Sequence, residues 1–157
     1  QAASSLTEEE NRASFRHSIG EVLHRELSEN KLEDYLFEVA NLLNSNTAGV
    51  TNVDYVKINL MAAEKARNIS AFDNCSHYAT KGISMLPSDK WASHPKMAVK
   101  LYSLVAEAEG FLGRYSQMEM YCSEVLAQKS ISTLQKKDVY VAKLDRMANV
   151  ELRYDDA

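Results

Sequence analysis

Apolar residues recur at helical spacing through the stretch 101–128. Leu101, Leu104, Val105, Ala108, Phe111 and Leu112 form one stripe; Tyr115, Met118, Tyr121, Cys122, Val125 and Leu126 form a second. Steps of three and four residues predict two amphipathic helices. Gly113-Arg114-Tyr115 interrupts them and predicts a tight turn. The small residues Ala106, Ala108 and Gly110 leave room for a close partner helix.

The same periodicity predicts helices elsewhere. Phe15, Ile19, Val22, Leu23 and Leu27 give the inner stripe of a first helix, from Glu8 to Leu27. Leu32, Tyr35, Leu36, Val39, Leu42 and Leu43, widened by Phe37 and Ala40, give a second from Asn30 to Asn44. A third carries Val53, Val56, Leu60, Ala63 and Ala66; a fourth carries Phe72, Cys75, Tyr78, Ala79, Ile83 and Leu86, with Pro87 ending it. Pro95 suits the first residue of the fifth helix. The seventh carries Val139, Ala142, Leu144, Met147, Ala148 and Val150. A capping box is expected at Thr7-Glu8-Glu9-Glu10, and caps at Asn30-Lys31-Leu32-Glu33, Thr51-x-x-Asp54, Ser70-x-x-Asp73 and Ser132-x-x-Gln135. Asn44 to Gly49 reads as a loop. Trp91 lies in the connector Pro87 to His94 and reads as sealing the core between helix pairs rather than as a ligand contact.

The pattern repeats. A shift of 43 positions lays Ala63-Glu64 on Ala106-Glu107, Phe72 on Tyr115, Cys75 on Met118, Tyr78 on Tyr121, Ala79 on Cys122 and Ile83 on Leu126. A third turn is expected at Leu152-Arg153-Tyr154, offset by 39 from Tyr115. One hairpin cannot bury its own apolar face, so hairpins must stack. The predicted fold is all-α: antiparallel hairpins stacked as a tetratricopeptide-like α-solenoid of about seven helices. It is one domain over 1–157, with an N-terminal helix pair in 1–50 and the hairpins in 51–157. The ends read as those of a piece cut from a longer protein.

Composition narrows the function. Only 5 Gly and 2 Pro among 157 residues fit a helical chain, and 45% hydrophobic with 25% charged residues fits a globular one. The net charge is −4, with no run of Lys or Arg longer than two, which speaks against nucleic acid as the partner. No apolar run suits a membrane span, and the N-terminus is not a signal peptide. Cys75 and Cys122 read as reduced core residues. His17 and His24 share one helix face without the further ligands that zinc needs. Gly110-Phe111-Leu112-Gly113 lacks the Lys-Ser/Thr of a phosphate loop, and no serine sits in a nucleophile elbow. No catalytic, cofactor or metal site is therefore expected. Lys57, Glu64, Lys100 and Glu107 are the candidate partner-contact residues, with Asn59 beside them, although intrahelical pairing also accounts for Glu107.

The chain resembles the helical region that follows the nucleotide-binding module in large signal-transduction ATPases of the STAND class, those with an Orc1-like AAA module. The likeness runs through Gln1-Ala2-Ala3, Leu36-Phe37-Glu38-Val39-Ala40-Asn41, Leu86-Pro87-x-Asp89-x-Trp91, Ala106-Glu107-Ala108-Glu109 and Gly113-Arg114-Tyr115. Met118 and Leu152 depart from it, standing where a small residue and a glycine are usual. The resemblance implies a cytoplasmic, non-catalytic scaffold that couples a nucleotide switch to an output module through protein contacts. ATP would belong to the module upstream, and Gln1 to Leu6 would be that module's last residues. The competing reading is a free-standing peptide-binding adaptor of the tetratricopeptide kind.

Overall fold

Helix follows helix along the chain: α1 (Ala2–Glu26), α2 (Glu29–Asp34), α3 (Leu36–Leu43), a short 3-10 turn (Asn44–Asn46), α4 (Val53–Asn68), α5 (Phe72–Ser84), α6 (Lys90–Ser93), α7 (Pro95–Phe111), α8 (Tyr115–Leu126) and α9 (Lys137–Asp155). This computed structural model describes the backbone of residues 2–47 and 49–155 and the side chains of 8–47 and 49–148, and no strand occurs among them. Among the described residues nine helices appear where about seven were expected. Tyr35, at φ −101° and ψ 20°, breaks the expected second helix into α2 and α3. The connector around Trp91 winds into the single turn α6.

Several ends differ from expectation. Helix α1 begins at Ala2, so Thr7 lies inside it rather than capping it. Ser28, not Asn30, stands at the N-cap of α2. Asn52, not Thr51, caps α4: its Oδ1 accepts the amides of Asp54 at 2.9 Å and Tyr55 at 3.3 Å. Ser70 does not open α5 but closes α4, with φ at 58°. Pro95 does stand at the start of α7. The Ser132/Gln135 box forms in both directions, Ser132 N–H to Gln135 Oε1 at 3.1 Å and Gln135 N–H to Ser132 Oγ at 3.4 Å, yet it closes a turn two residues ahead of α9. The expected third turn at Leu152-Arg153-Tyr154 is absent, because the backbone continues helical to Asp155.

Helix starts recur at near-equal spacing. Helices α4, α7 and α9 start at Val53, Pro95 and Lys137, 42 residues apart each time, and α5 and α8 start at Phe72 and Tyr115, 43 apart. Helices α4 and α5 pair, as do α7 and α8; α7 packs on α4 and α5, and α9 packs on α7 and α8. Helix α7 is buried nearly all round. Ala98, Leu101, Leu104, Val105 and Ala108 join a core with α3, α4 and α5. Val99, Tyr102 and Ala106 join a second core with Met118, Cys122, Val125, Ile131 and Val139. Helices apolar on every side belong inside. Ala62, Ala63 and Ala66 of α4 are fully buried, so small residues set the helix spacing. At Gly82 a Cβ would stand 2.9 Å from a Leu101 methyl, which explains how closely α5 approaches α7.

Helix α1 packs across α3 and the 3-10 turn, with a face that keeps Leu23 and Leu27 of its expected stripe but turns the rest of the stripe outward. Phe15 is 68% exposed, and Ile19 and Val22 also face outward. The inward positions are Ala13, His17, Gly20, Leu23, His24 and Leu27. A Cβ at Gly20 would lie 2.8 Å from the Leu43 backbone nitrogen, so only glycine lets the two backbones meet there. Leu144 and Met147 of α9, expected inside, are likewise exposed, while Val139 is buried; Val150 lies outside the described side chains.

Candidate functional site

The four residues singled out from sequence are largely satisfied within the chain. Lys100 pairs with Glu64, and Arg67 lies 3.6 Å from Glu107, so two ion pairs cross between α4 and α7. Glu64 and Glu107 are repeat-equivalent, and each takes its cation from the other's helix. Glu107 is therefore paired between helices, not within one. Lys57 holds Asp54 at 2.8 Å, and that hydrogen bond keeps the Asp54 carboxyl below its ordinary range. Asn59 is wholly buried. Its amide and that of Asn44 exchange hydrogen bonds at 2.8 and 3.0 Å, and its Nδ2 also donates to the Tyr55 carbonyl at 2.9 Å. The two α4–α7 pairs and the Asn44–Asn59 exchange join neighbouring elements, while Lys57–Asp54 lies within α4; on exposed surfaces such ion pairs contribute about 0–1 kcal/mol each.

A groove that the sequence did not reveal lies between α1, α3 and α5 and encloses about 970 Å³. Helix α1 supplies Glu8, Glu9, Arg12 and Arg16; α3 and the 3-10 turn supply Asn41, Asn44 and Ser45; α5 supplies His77 and Lys81. Both amide oxygens on the α3 side already accept hydrogen bonds: Asn44 Oδ1 from Asn59 Nδ2 at 3.0 Å, and Asn41 Oδ1 from the Tyr78 hydroxyl at 3.1 Å. Ser45 Oγ donates to the Ala13 carbonyl at 3.0 Å. The Tyr78 bond leaves the Asn41 Nδ2 group as a donor. Burial, and then the charge of Lys81, lowers the His77 pKa, so its ring is neutral near pH 7. Arg12 and Arg16 form no ion pair among the described residues, while Arg25, Arg67, Arg114 and Arg146 each do.

Other candidates resolve into structure. His17 Nδ1 donates to the Leu43 carbonyl at 2.7 Å, and its Nε2 lies 3.7 Å from Glu21, whose Oε1 also takes the Tyr55 hydroxyl at 2.7 Å. That cluster ties α1 to α3 and α4. Trp91 packs against both cores, 5.0 Å from the Tyr102 ring, and donates to Glu124 Oε1 at 3.3 Å. Cys75 and Cys122 are free and buried. Buried Glu109 accepts from Ser76 and from Arg114 at 3.5 Å, and Arg114 reaches on to Asp73 at 2.8 Å, pinning the turn after α7 to the start of α5. Among the described residues no group of three or more His, Cys, Asp or Glu side chains could hold a metal ion, and no described helix is long and apolar enough to cross a membrane.

The chain matches no protein-family model, and no curated protein or solved structure matches it.

Proposed function

We propose that this chain is a non-catalytic scaffold of tetratricopeptide-like stacked hairpins that works through protein contacts. The observation that carries this reading is the outward apolar face at each end of the packing order. Phe15, Ile19 and Val22 line one side of α1, and Tyr140, Val141, Leu144 and Met147 line one side of α9. Exposed apolar stripes of this kind serve protein association, and stacked helical repeats require a covering neighbour or a polar cap at each end. The resemblance to the region after a STAND-type ATPase module supplies the setting: a cytoplasmic relay between a nucleotide switch and an output module. In that setting the Glu64–Lys100 and Glu107–Arg67 pairs keep α4 and α7 in register while the ends dock, and Lys57 steadies the first turn of α4 through Asp54. Calorimetric titration of the chain with Mg–ATP is expected to give no heat of binding. Micromolar binding or turnover of ATP by these residues alone would overturn the reading. The free-standing adaptor remains the second reading, and the groove beside α1 favours it.

A further inference from the structure

We infer that the groove between α1, α3 and α5 receives an extended acidic segment of a partner protein, its carboxylates held by Arg12, Arg16 and Lys81. The inference rests on the protein-contact reading, under either its scaffold or its adaptor form, and names a site and ligand chemistry that the reading leaves open. Four other arginines of the chain have an acidic partner among the described residues; the two that have none both line this groove. That is unusual in a chain with 22 acidic residues and a net charge of −4. The lining is biased toward donors. Beside the carboxylates of Glu8 and Glu9 it carries two guanidinium groups, one ammonium and the Asn41 amide, whose oxygen, like that of Asn44, is already accepting a hydrogen bond. Guanidinium groups bind carboxylates through paired hydrogen bonds.

The geometry selects an extended ligand. Arg12 and Arg16 stand one helical turn apart, a rise of about 6 Å. Alternate side chains of an extended peptide repeat at about 6.6 Å, so carboxylates at every second residue match the two guanidiniums. The volume of about 970 Å³ sits at the upper end of the usual range for ligand sites, and its lining comes from three separate helices, which suits a peptide better than a small metabolite. Glu8 and Glu9 line the same groove from the N-terminal end of α1. They give the ligand a direction, with its acidic part toward Arg16, and they oppose a nucleic-acid backbone whose charge is continuous.

The test is fluorescence anisotropy of a labelled peptide with glutamate at alternate positions, titrated with the full chain. Binding is expected to weaken about tenfold when salt rises from about 50 to about 300 mM. The double variant Arg12→Ala/Arg16→Ala is expected to lose at least about tenfold in affinity and Lys81→Ala about threefold, with helical circular dichroism unchanged because both arginines are exposed. Arg12→Lys/Arg16→Lys, which keeps the charge without the fork, is expected to recover only part of the loss. Lys57→Ala, outside the groove, is expected to bind as the parent does. Equal binding by the parent and the double-alanine variant overturns the proposal. So does tighter binding of an oligothymidylate of the same charge, or an equal loss in Lys57→Ala. None of these outcomes bears on ATP binding, which tests the non-catalytic reading separately.

Discussion

Ser70 and Gly113 hold the same place in consecutive hairpin turns. Both backbones are left-handed, at φ 58° and 72°, and the two residues are 43 positions apart. In each turn the residue donates to a carbonyl three back, Ser70 to Arg67 at 2.9 Å and Gly113 to Gly110 at 3.1 Å. The next residue donates five back, Ala71 to Ala66 at 2.9 Å and Arg114 to Glu109 at 2.8 Å. This paired closure satisfies the orphan carbonyls at a helix end, and glycine suits it best. The first turn therefore carries backbone strain that the second avoids. Ser70→Gly is expected to stabilise the protein by about 0.5–1 kcal/mol, the relief of a left-handed non-glycine less the extra entropy of glycine in the unfolded chain. Gly113→Ala has open space around its Cβ, so its cost of about 1 kcal/mol comes from φ alone. Urea midpoints of the two variants, moving in opposite directions, check this.

Ala63 and Ala106 are repeat-equivalent and both wholly buried, but they will not respond alike. Ala106 borders a small hollow shared with Gly110, Met118 and Ala142, which can take a longer side chain. Ala63 is fully enclosed in the core shared by α3, α4, α5 and α7. Ala63→Leu is expected to cost about 1–3 kcal/mol through overpacking, and Ala106→Leu less than about 1 kcal/mol. Thermal melts of both variants decide the ordering.

Gly20→Ala sets two effects against each other. Alanine in mid-helix improves on glycine by about 1 kcal/mol. Here, however, the new methyl would sit 2.8 Å from a backbone atom of α3, which cannot swing aside. Helix α1 must lift, and the His17–Leu43 hydrogen bond goes with it. A net loss of about 1–2 kcal/mol is expected, with hydrogen exchange quickening in α1 and at the end of α3 while α7 is spared.

Burial pushes the Cys75 thiol up to about 12 and the Cys122 thiol up to about 11. A thiol raised in the folded state favours the protonated form there. Its contribution is complete below the unfolded value near 9 and is lost as pH rises toward the folded values. The urea midpoint is expected to hold steady at neutral pH and fall between about pH 9 and 11. In native protein at pH 8 neither thiol should react with a disulfide reagent until urea unfolds the chain.

The hairpin Leu101 to Gln128 was legible because glycine, helical periodicity and a 43-residue echo agree on it. The face of α1 was not. Phe15, Ile19 and Val22 are helically spaced, which marks a stripe but does not say which neighbour covers it. The side that docks is built of Ala13, His17 and Gly20, and close backbone contact leaves no apolar signature. Ser70 misled for a related reason, since a serine ahead of an acidic residue reads as a helix start whether it opens one helix or closes the previous one. Of the charges singled out, Lys57 pairs three residues back within α4, a spacing the chain shows, but Glu64, Lys100 and Glu107 find their partners on a neighbouring helix and could not be assigned by counting along the chain. The groove joins residues from Glu8 to Lys81 on separate elements, and no local spacing encodes such a meeting.

Helix α7 gives Leu101, Leu104 and Val105 to one core and Val99, Tyr102 and Ala106 to the other. It is a party wall, and neither room stands without it. Fraying that begins at α9 strips one side of that wall and leaves Val99 and Tyr102 facing water, so the loss travels inward instead of stopping at a hairpin boundary. A change in how α9 is held is thus passed through α7 to α4, 69 residues earlier in the sequence at its nearest end.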